Sequence, residues 1–67
     1  MLEIVINGEG RTVGEGLNVL TLLKELGIAP DRVAVELNRK IVRQQAWEST
    51  PVQGGAQVEI VQFVGGG

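Results

Sequence analysis

Apolar and polar residues alternate over the first positions of the chain, with Leu2, Ile4 and Ile6 set among Glu3, Val5 and Asn7. A period of two predicts a strand with one face on a core. Asn7-Gly8-Glu9-Gly10 comes next as a turn, where Asn-Gly supplies the positive φ angles of a tight hairpin. A short second strand is therefore expected through Arg11, Thr12 and Val13. Gly14-Glu15-Gly16 ends it, and the period then changes. Val19, Leu22, Leu23 and Leu26 recur at i, i+3, i+4 and i+7, which places them on one face of a helix. Asn18 suits the N-cap, Gly27 a left-handed closing residue and Pro30 a stop, so the helix is expected over 18–26.

Beyond the helix, Val33, Val35 and Leu37 alternate with Ala34, Glu36 and Asn38, a third strand ending in the polar turn Asn38-Arg39-Lys40. Ile41 and Val42 predict a brief fourth strand. Residues 44–56, with Trp47, Pro51 and Gly54-Gly55, read as a long connection containing a helical turn. Val58, Ile60, Val61 and Phe63 predict a last strand over 57–63. One helix and a mixed sheet of four to five strands must share one core. The economical packing lays the helix across one face, over Leu2, Ile4, Ile6, Val13, Val35, Leu37, Val58 and Ile60. An N-terminal hairpin, one helix and a return to the sheet describe an α+β chain of β-grasp arrangement. The expected organisation is a single domain over residues 1–63 and a flexible glycine-rich tail over 64–67.

Composition narrows the chemistry. A chain of 67 residues leaves room for one small core and none for a cleft between two lobes. It contains no cysteine and no histidine, which removes disulfides, thiolate metal sites, thiol nucleophiles and the commonest general base. No metal site and no self-contained catalytic site are expected, so the chain reads as a non-enzyme. Six Lys and Arg against eight Asp and Glu, with one Trp, one Phe and no Tyr, argue against a nucleic-acid partner. No apolar run approaches the roughly 20 residues that span a bilayer. The first residues, Met1-Leu2-Glu3-Ile4, lack the basic segment of a signal peptide. The expectation is a soluble cytoplasmic protein with no membrane partner.

The ending Gly65-Gly66-Gly67 stands out. With glycine at about 7% of average usage, three in succession at a given position occur by chance roughly 3 times in 10,000. End residues are commonly disordered whatever their role. Here the glycines come directly after Phe63-Val64, so a side-chain-free arm leaves the sheet without a spacer. Such an arm can thread a tunnel too narrow for side chains. A carboxylate at its end is inert until a partner enzyme activates it. Conversion to an acyl-adenylate makes the carbonyl electrophilic, and a sulfur nucleophile such as a persulfide can then displace AMP to leave a thiocarboxylate.

Taken together, Ile4-Val5-Ile6-Asn7-Gly8, Val33-Ala34-Val35-Glu36-Leu37-Asn38 through Ile41-Val42-Arg43, Trp47, and Val58-Glu59-Ile60-Val61 leading into Phe63-Val64-Gly65-Gly66-Gly67 carry a resemblance. The chain resembles the ThiS/MoaD family of ubiquitin-like sulfur carriers over essentially its whole length, and within it the ThiS branch of thiamin (thiazole) biosynthesis. It departs at Gly54-Gly55-Ala56, where an acidic turn residue is more usual. The resemblance implies that an E1-like adenylyltransferase of the ThiF type uses ATP and magnesium to adenylate Gly67, with Gly65 and Gly66 required for activation. It implies that a cysteine desulfurase or a sulfur relay supplies sulfur, and that a thiazole synthase of the ThiG type receives it. The carrier itself binds no cofactor. Rival readings are the small subunit of molybdopterin synthase, a carrier for tRNA thiolation, a ubiquitin-like modifier joined to lysines through Gly67, and an interaction module with an idle tail.

Other features carry less. Gly8-Glu9-Gly10 and Gly14-Glu15-Gly16 lack the Lys-Ser/Thr of a phosphate loop and read as turns, with Glu9 and Glu15 as solvated turn residues rather than paired carboxylates. Trp47 reads as core rather than as a stacking platform. Arg39, Lys40 and Arg43 form a basic cluster, either a solvated edge or a contact for an acidic partner. Val5, Val61 and Phe63 alternate away from the helix-facing set and, with Val64, are the expected docking patch beside the tail.

Overall fold

A computed structural model describes residues 1–63. Strands β1 (Leu2–Ile6) and β2 (Glu9–Val13) pair antiparallel, from Leu2 opposite Val13 to Ile6 opposite Glu9. The turn holds Asn7 and Gly8 alone, at φ 51° and 84°. Glu9 and Gly10, expected in the turn, therefore belong to β2. Two positive φ angles match the right-handed twist of the strands, so pairing resumes immediately beyond Gly8.

Helix α1 (Val19–Glu25) lies inside the expected span, between cap residues Asn18 and Leu26. Asn18 Oδ1 accepts from the Thr21 amide at 2.8 Å and Thr21 Oγ1 accepts from the Asn18 amide at 2.9 Å, a reciprocal capping box. At the other end Gly27 takes φ 75°. Its amide donates to Lys24 O at 3.0 Å, and the Ile28 amide donates to Leu23 O at 2.9 Å. These two bonds satisfy carbonyls the helix leaves open, and a left-handed residue is needed to make them.

After a 3₁₀ turn at Pro30–Arg32, β3 (Val33–Leu37) and β4 (Lys40–Val42) form a second hairpin. Its turn is again two residues, Asn38 and Arg39 at φ 52° and 71°, so Lys40 belongs to β4 rather than to the turn. The connection folds as a 3₁₀ helix over Gln44–Ser49. It is tied to the start of α1 by Val19 N–H to Thr50 O at 3.0 Å and Val52 N–H to Leu17 O at 2.9 Å. Strand β5 (Gln57–Gln62) stops one residue short of the expected end, and Phe63 lies just past it.

The strand order is β2-β1-β5-β3-β4. β1 and β5 run parallel; the other pairs are antiparallel. The last strand thus inserts between the first and the third, with α1 supplying the cover for one face: a β-grasp fold. Ile4, Ile6, Val13, Val35, Val58 and Ile60 from the sheet join Val19, Leu22 and Leu23 from α1 in one buried cluster. Leu2, Leu37 and Leu26 sit at its edge, half-buried. Trp47 is core, with its indole N–H donating to Val42 O at 2.8 Å. Val52 and Ala56 are buried as well, although neither belongs to a periodic segment. No helix among the described residues is long and apolar enough to cross a membrane.

Candidate functional site

The candidate reactive residue, Gly67, and its neighbours Val64, Gly65 and Gly66 lie outside the described residues. The strand that leads to them is described in full. β5 is held by backbone ladders on both sides and by one asparagine side chain near each end. At its start the Gln57 amide donates to Asn38 Oδ1 at 3.0 Å, and the Asn38 amide donates to Gln57 O at 2.7 Å. Towards its end the Ile60 amide donates to Asn7 Oδ1 at 2.7 Å, and Asn7 Nδ2 donates to Ile60 O at 3.1 Å. Both asparagines are hairpin residues with positive φ. Each turn therefore does two jobs: it reverses its own hairpin and fastens the central strand. Phe63 is fixed in turn by its amide, which donates to Arg32 O at 2.8 Å.

Val5 and Val61, expected in one docking patch, lie apart. Val5 faces Gln57 at the start of β5, whereas Val61 faces Ala34 near its other end. Four residues of strand, roughly 13 Å, separate the two places. Val5 is half-buried, while Val61 and Phe63 are 59% and 60% exposed. Val61 instead shares a cleft on this face with Ile41, which is 76% exposed. Sequence reasoning passed over Ile41 because it counted Lys40 in the turn. With a two-residue turn the pairs become Leu37–Lys40, Glu36–Ile41 and Val35–Val42, which puts Ile41 on the outer face with Glu36. A slip of one residue exchanges faces.

The weaker candidates stay apart. Glu9 lines a groove of about 460 Å³ with Asn7, Arg11, Ile28 and Gln62, while Glu15 lines a different hollow and pairs with the Met1 amino group at 2.9 Å. They make no carboxylate pair. Arg39 sits at the tip of the second hairpin, and Lys40 and Arg43 flank Ile41 along an open hollow on the β4 edge. At the departing segment, the Gly55 amide donates to Glu3 O at 2.8 Å and Ala56 is buried, so the turn closes without an acidic residue.

Known proteins with this arrangement are similar along the whole chain. The sulfur carrier protein ThiS of Escherichia coli is 29% identical over 66 residues, covering 98% of this chain and 100% of that protein. A crystal structure of the thiamine biosynthesis protein ThiS of Geobacter metallireducens is 39% identical, covers 98% of this chain and 100% of that one, and superposes with a TM-score of 0.86. The thiazole synthase of Paramagnetospirillum magneticum is 42% identical over 66 residues, which are 98% of this chain and 20% of that protein. The chain thus spans only 20% of the length of the thiazole synthases it matches. The ThiS family model matches residues 4–67, from the first strand through the final glycine. With the β-grasp order, the glycine ending and this end-to-end match in agreement, the chain belongs to the ThiS family.

Proposed function

We propose that the chain is a sulfur carrier of thiamin biosynthesis and is itself no enzyme, with Gly67 as the residue that carries the sulfur. The supporting observation is the way β5 is built. A strand clamped by Asn38 and Asn7 ends beside a residue fixed to Arg32, so the body presents the residues after Phe63 from a rigid base. In the sequence those residues are Val64-Gly65-Gly66-Gly67. Gly65 and Gly66 let this segment enter a narrow active site, since neither has a side chain to exclude. Val61, Phe63 and Val64 are the contacts through which a partner grips the body; Val5, at the other end of β5, supplies a separate one.

In this reading the reactive machinery belongs to the partners. An E1-like adenylyltransferase of the ThiF type binds ATP and magnesium. A carboxylate oxygen of Gly67 attacks the α-phosphorus, pyrophosphate leaves, and an acyl-adenylate results. A persulfide formed by a cysteine desulfurase or a sulfur relay then attacks the carbonyl, and AMP leaves with the bonding electrons. A second thiol reduces the S–S bond of that adduct and releases the thiocarboxylate. Thiazole synthase of the ThiG type takes the sulfur. That proteins named thiazole synthase include a segment similar to this whole chain supports pairing carrier and synthase. ATP-dependent activation is compatible with the expected cytoplasmic location.

Intact-mass measurement after incubation with ATP, magnesium, the adenylyltransferase and a sulfur donor tests the reading. Replacement of one oxygen by sulfur is the expected result, and deletion of Gly67 should abolish it with no change in the thermal midpoint. Lysine conjugates would indicate a protein modifier instead. Sulfur passed to a molybdopterin precursor or to tRNA, with none passed to thiazole synthase, would move the chain to another pathway. An unchanged mass in every combination would leave an interaction module.

A further inference from the structure

Of the three asparagines in the chain, only Asn7 is followed by glycine; Asn18 precedes Val19 and Asn38 precedes Arg39. That pairing has a reactivity of its own. Attack by the following amide nitrogen on the asparagine Cγ closes a five-membered ring, and a following glycine leaves that nitrogen unshielded because it has no Cβ. In this protein the nucleophile is open. Gly8 is exposed, a Cβ built on it would meet nothing within 4 Å beyond its chain neighbours, and among the described residues its amide donates to no backbone carbonyl. The electrophile is held. Asn7 Oδ1 accepts from the Ile60 amide at 2.7 Å and Asn7 Nδ2 donates to Ile60 O at 3.1 Å, so the side-chain amide is turned towards β5. This hold sits at the end of a short ladder, since β1 and β5 pair at Val5–Gln57 and Ile6–Val58 and the clip is the next contact beyond.

We propose that Asn7 is a site of spontaneous deamidation whose rate is set by opening of its clip to Ile60. Once the side chain is released, solvent base takes the Gly8 amide proton and the nitrogen attacks Asn7 Cγ. The bond from Cγ to the side-chain nitrogen breaks, that nitrogen takes a proton from water, and ammonia leaves a succinimide behind. Water then opens the ring at Cγ to give aspartate, or at the main-chain carbonyl to give isoaspartate. Neither product restores the clip. Ionised aspartate has no N–H to offer Ile60 O and sets a carboxylate oxygen in its place, while isoaspartate adds a methylene to the backbone of a two-residue turn. The reaction therefore converts a transient opening beside β5 into a permanent one. Asn38 clips the start of β5 from an equivalent turn, but the side chain of Arg39 shields the amide that would attack it, so the two ends of the strand differ.

The test incubates the full chain in mildly alkaline buffer, native and in guanidinium chloride, following the exchange of NH2 for OH by intact mass and its position by peptide mapping. The change should fall on Asn7. It should run about tenfold or more faster in denaturant, because the native chain reacts only from its open fraction. Gly8→Ala should slow the denatured reaction, in which folding of the variant plays no part. Asn7→Asp, one of the two products, should lower the thermal midpoint and speed amide exchange at Ile60 more than at Val35. Equal rates in the two conditions, change at Asn18 or Asn38 ahead of Asn7, no slowing by Gly8→Ala, or an unchanged midpoint and Ile60 exchange in Asn7→Asp would each overturn the proposal.

Discussion

The side chain of Asn7 makes two reciprocal hydrogen bonds with the backbone of Ile60, accepting at 2.7 Å and donating at 3.1 Å. The backbone of β1 bonds β5 as far as Asn7, whose amide donates to Val58 O at 2.8 Å, and then turns away into the hairpin. From that point the side-chain amide continues the ladder. Ile60 offers both a donor and an acceptor, so only an amide in one orientation satisfies both.

Asn7→Gly keeps the positive φ of the turn and removes this clip. It should lower stability by about 1–3 kcal/mol, since two partly buried backbone groups lose their partners. Urea unfolding measures the loss, and amide exchange at Ile60 should accelerate more than at Val35. An unchanged midpoint together with unchanged exchange would show that the two bonds contribute nothing.

Arg39 occupies φ 71° in a turn whose second position favours glycine. A left-handed conformation costs an L-residue roughly 1–2 kcal/mol, part of which the freer unfolded glycine chain offsets. Arg39→Gly should therefore stabilise the domain by about 0.5–1 kcal/mol. A fall in the midpoint would mean that the arginine side chain makes contacts that outweigh the strain.

Trp47 is the single tryptophan of a chain without tyrosine, and it is 2% exposed. Its emission should be blue-shifted in the native state, poorly quenched by iodide, and lost in one transition with the rest of the fold. Trp47→Phe removes the donor to Val42 O and leaves a cavity, at a cost of about 2–4 kcal/mol. Emission already red-shifted in native buffer would place the ring outside the core.

Phe63 is 60% exposed and outside β5, so Phe63→Ala should change the unfolding midpoint by no more than about 0.5 kcal/mol in stability. The same variant should slow adenylation of the chain at limiting enzyme. Equal adenylation rates for variant and wild type would remove Phe63 from the docking surface.

The Asn18–Thr21 box uses threonine where glutamate or glutamine is usual. Asn18→Ala should lower stability by about 0.5–2 kcal/mol, read as a shift in the urea midpoint with an unchanged slope. No shift would indicate that the backbone bonds from Val19 to Thr50 and from Val52 to Leu17 hold the start of α1 without its cap.

Local pattern alone determined the element types. The alternation at Leu2–Ile6, the change of period at Val19 and the caps at Asn18 and Gly27 each depend on residues within one or two turns of one another, which is the range over which propensity and amphipathicity act. The glycine ending is visible in the sequence itself. Tertiary structure decided everything that depends on register. Whether Lys40 belongs to a turn or a strand changes nothing locally, yet it moves Ile41 to the outer face, and the parallel register of β1 with β5 separates Val5 from Val61. Burial of Val52 and Ala56, the second role of Asn7 and Asn38, and the opposition of Glu36 to Glu59 all join residues far apart in the chain. Such contacts exist only once β5 has inserted between β1 and β3, and no period within a single segment encodes them.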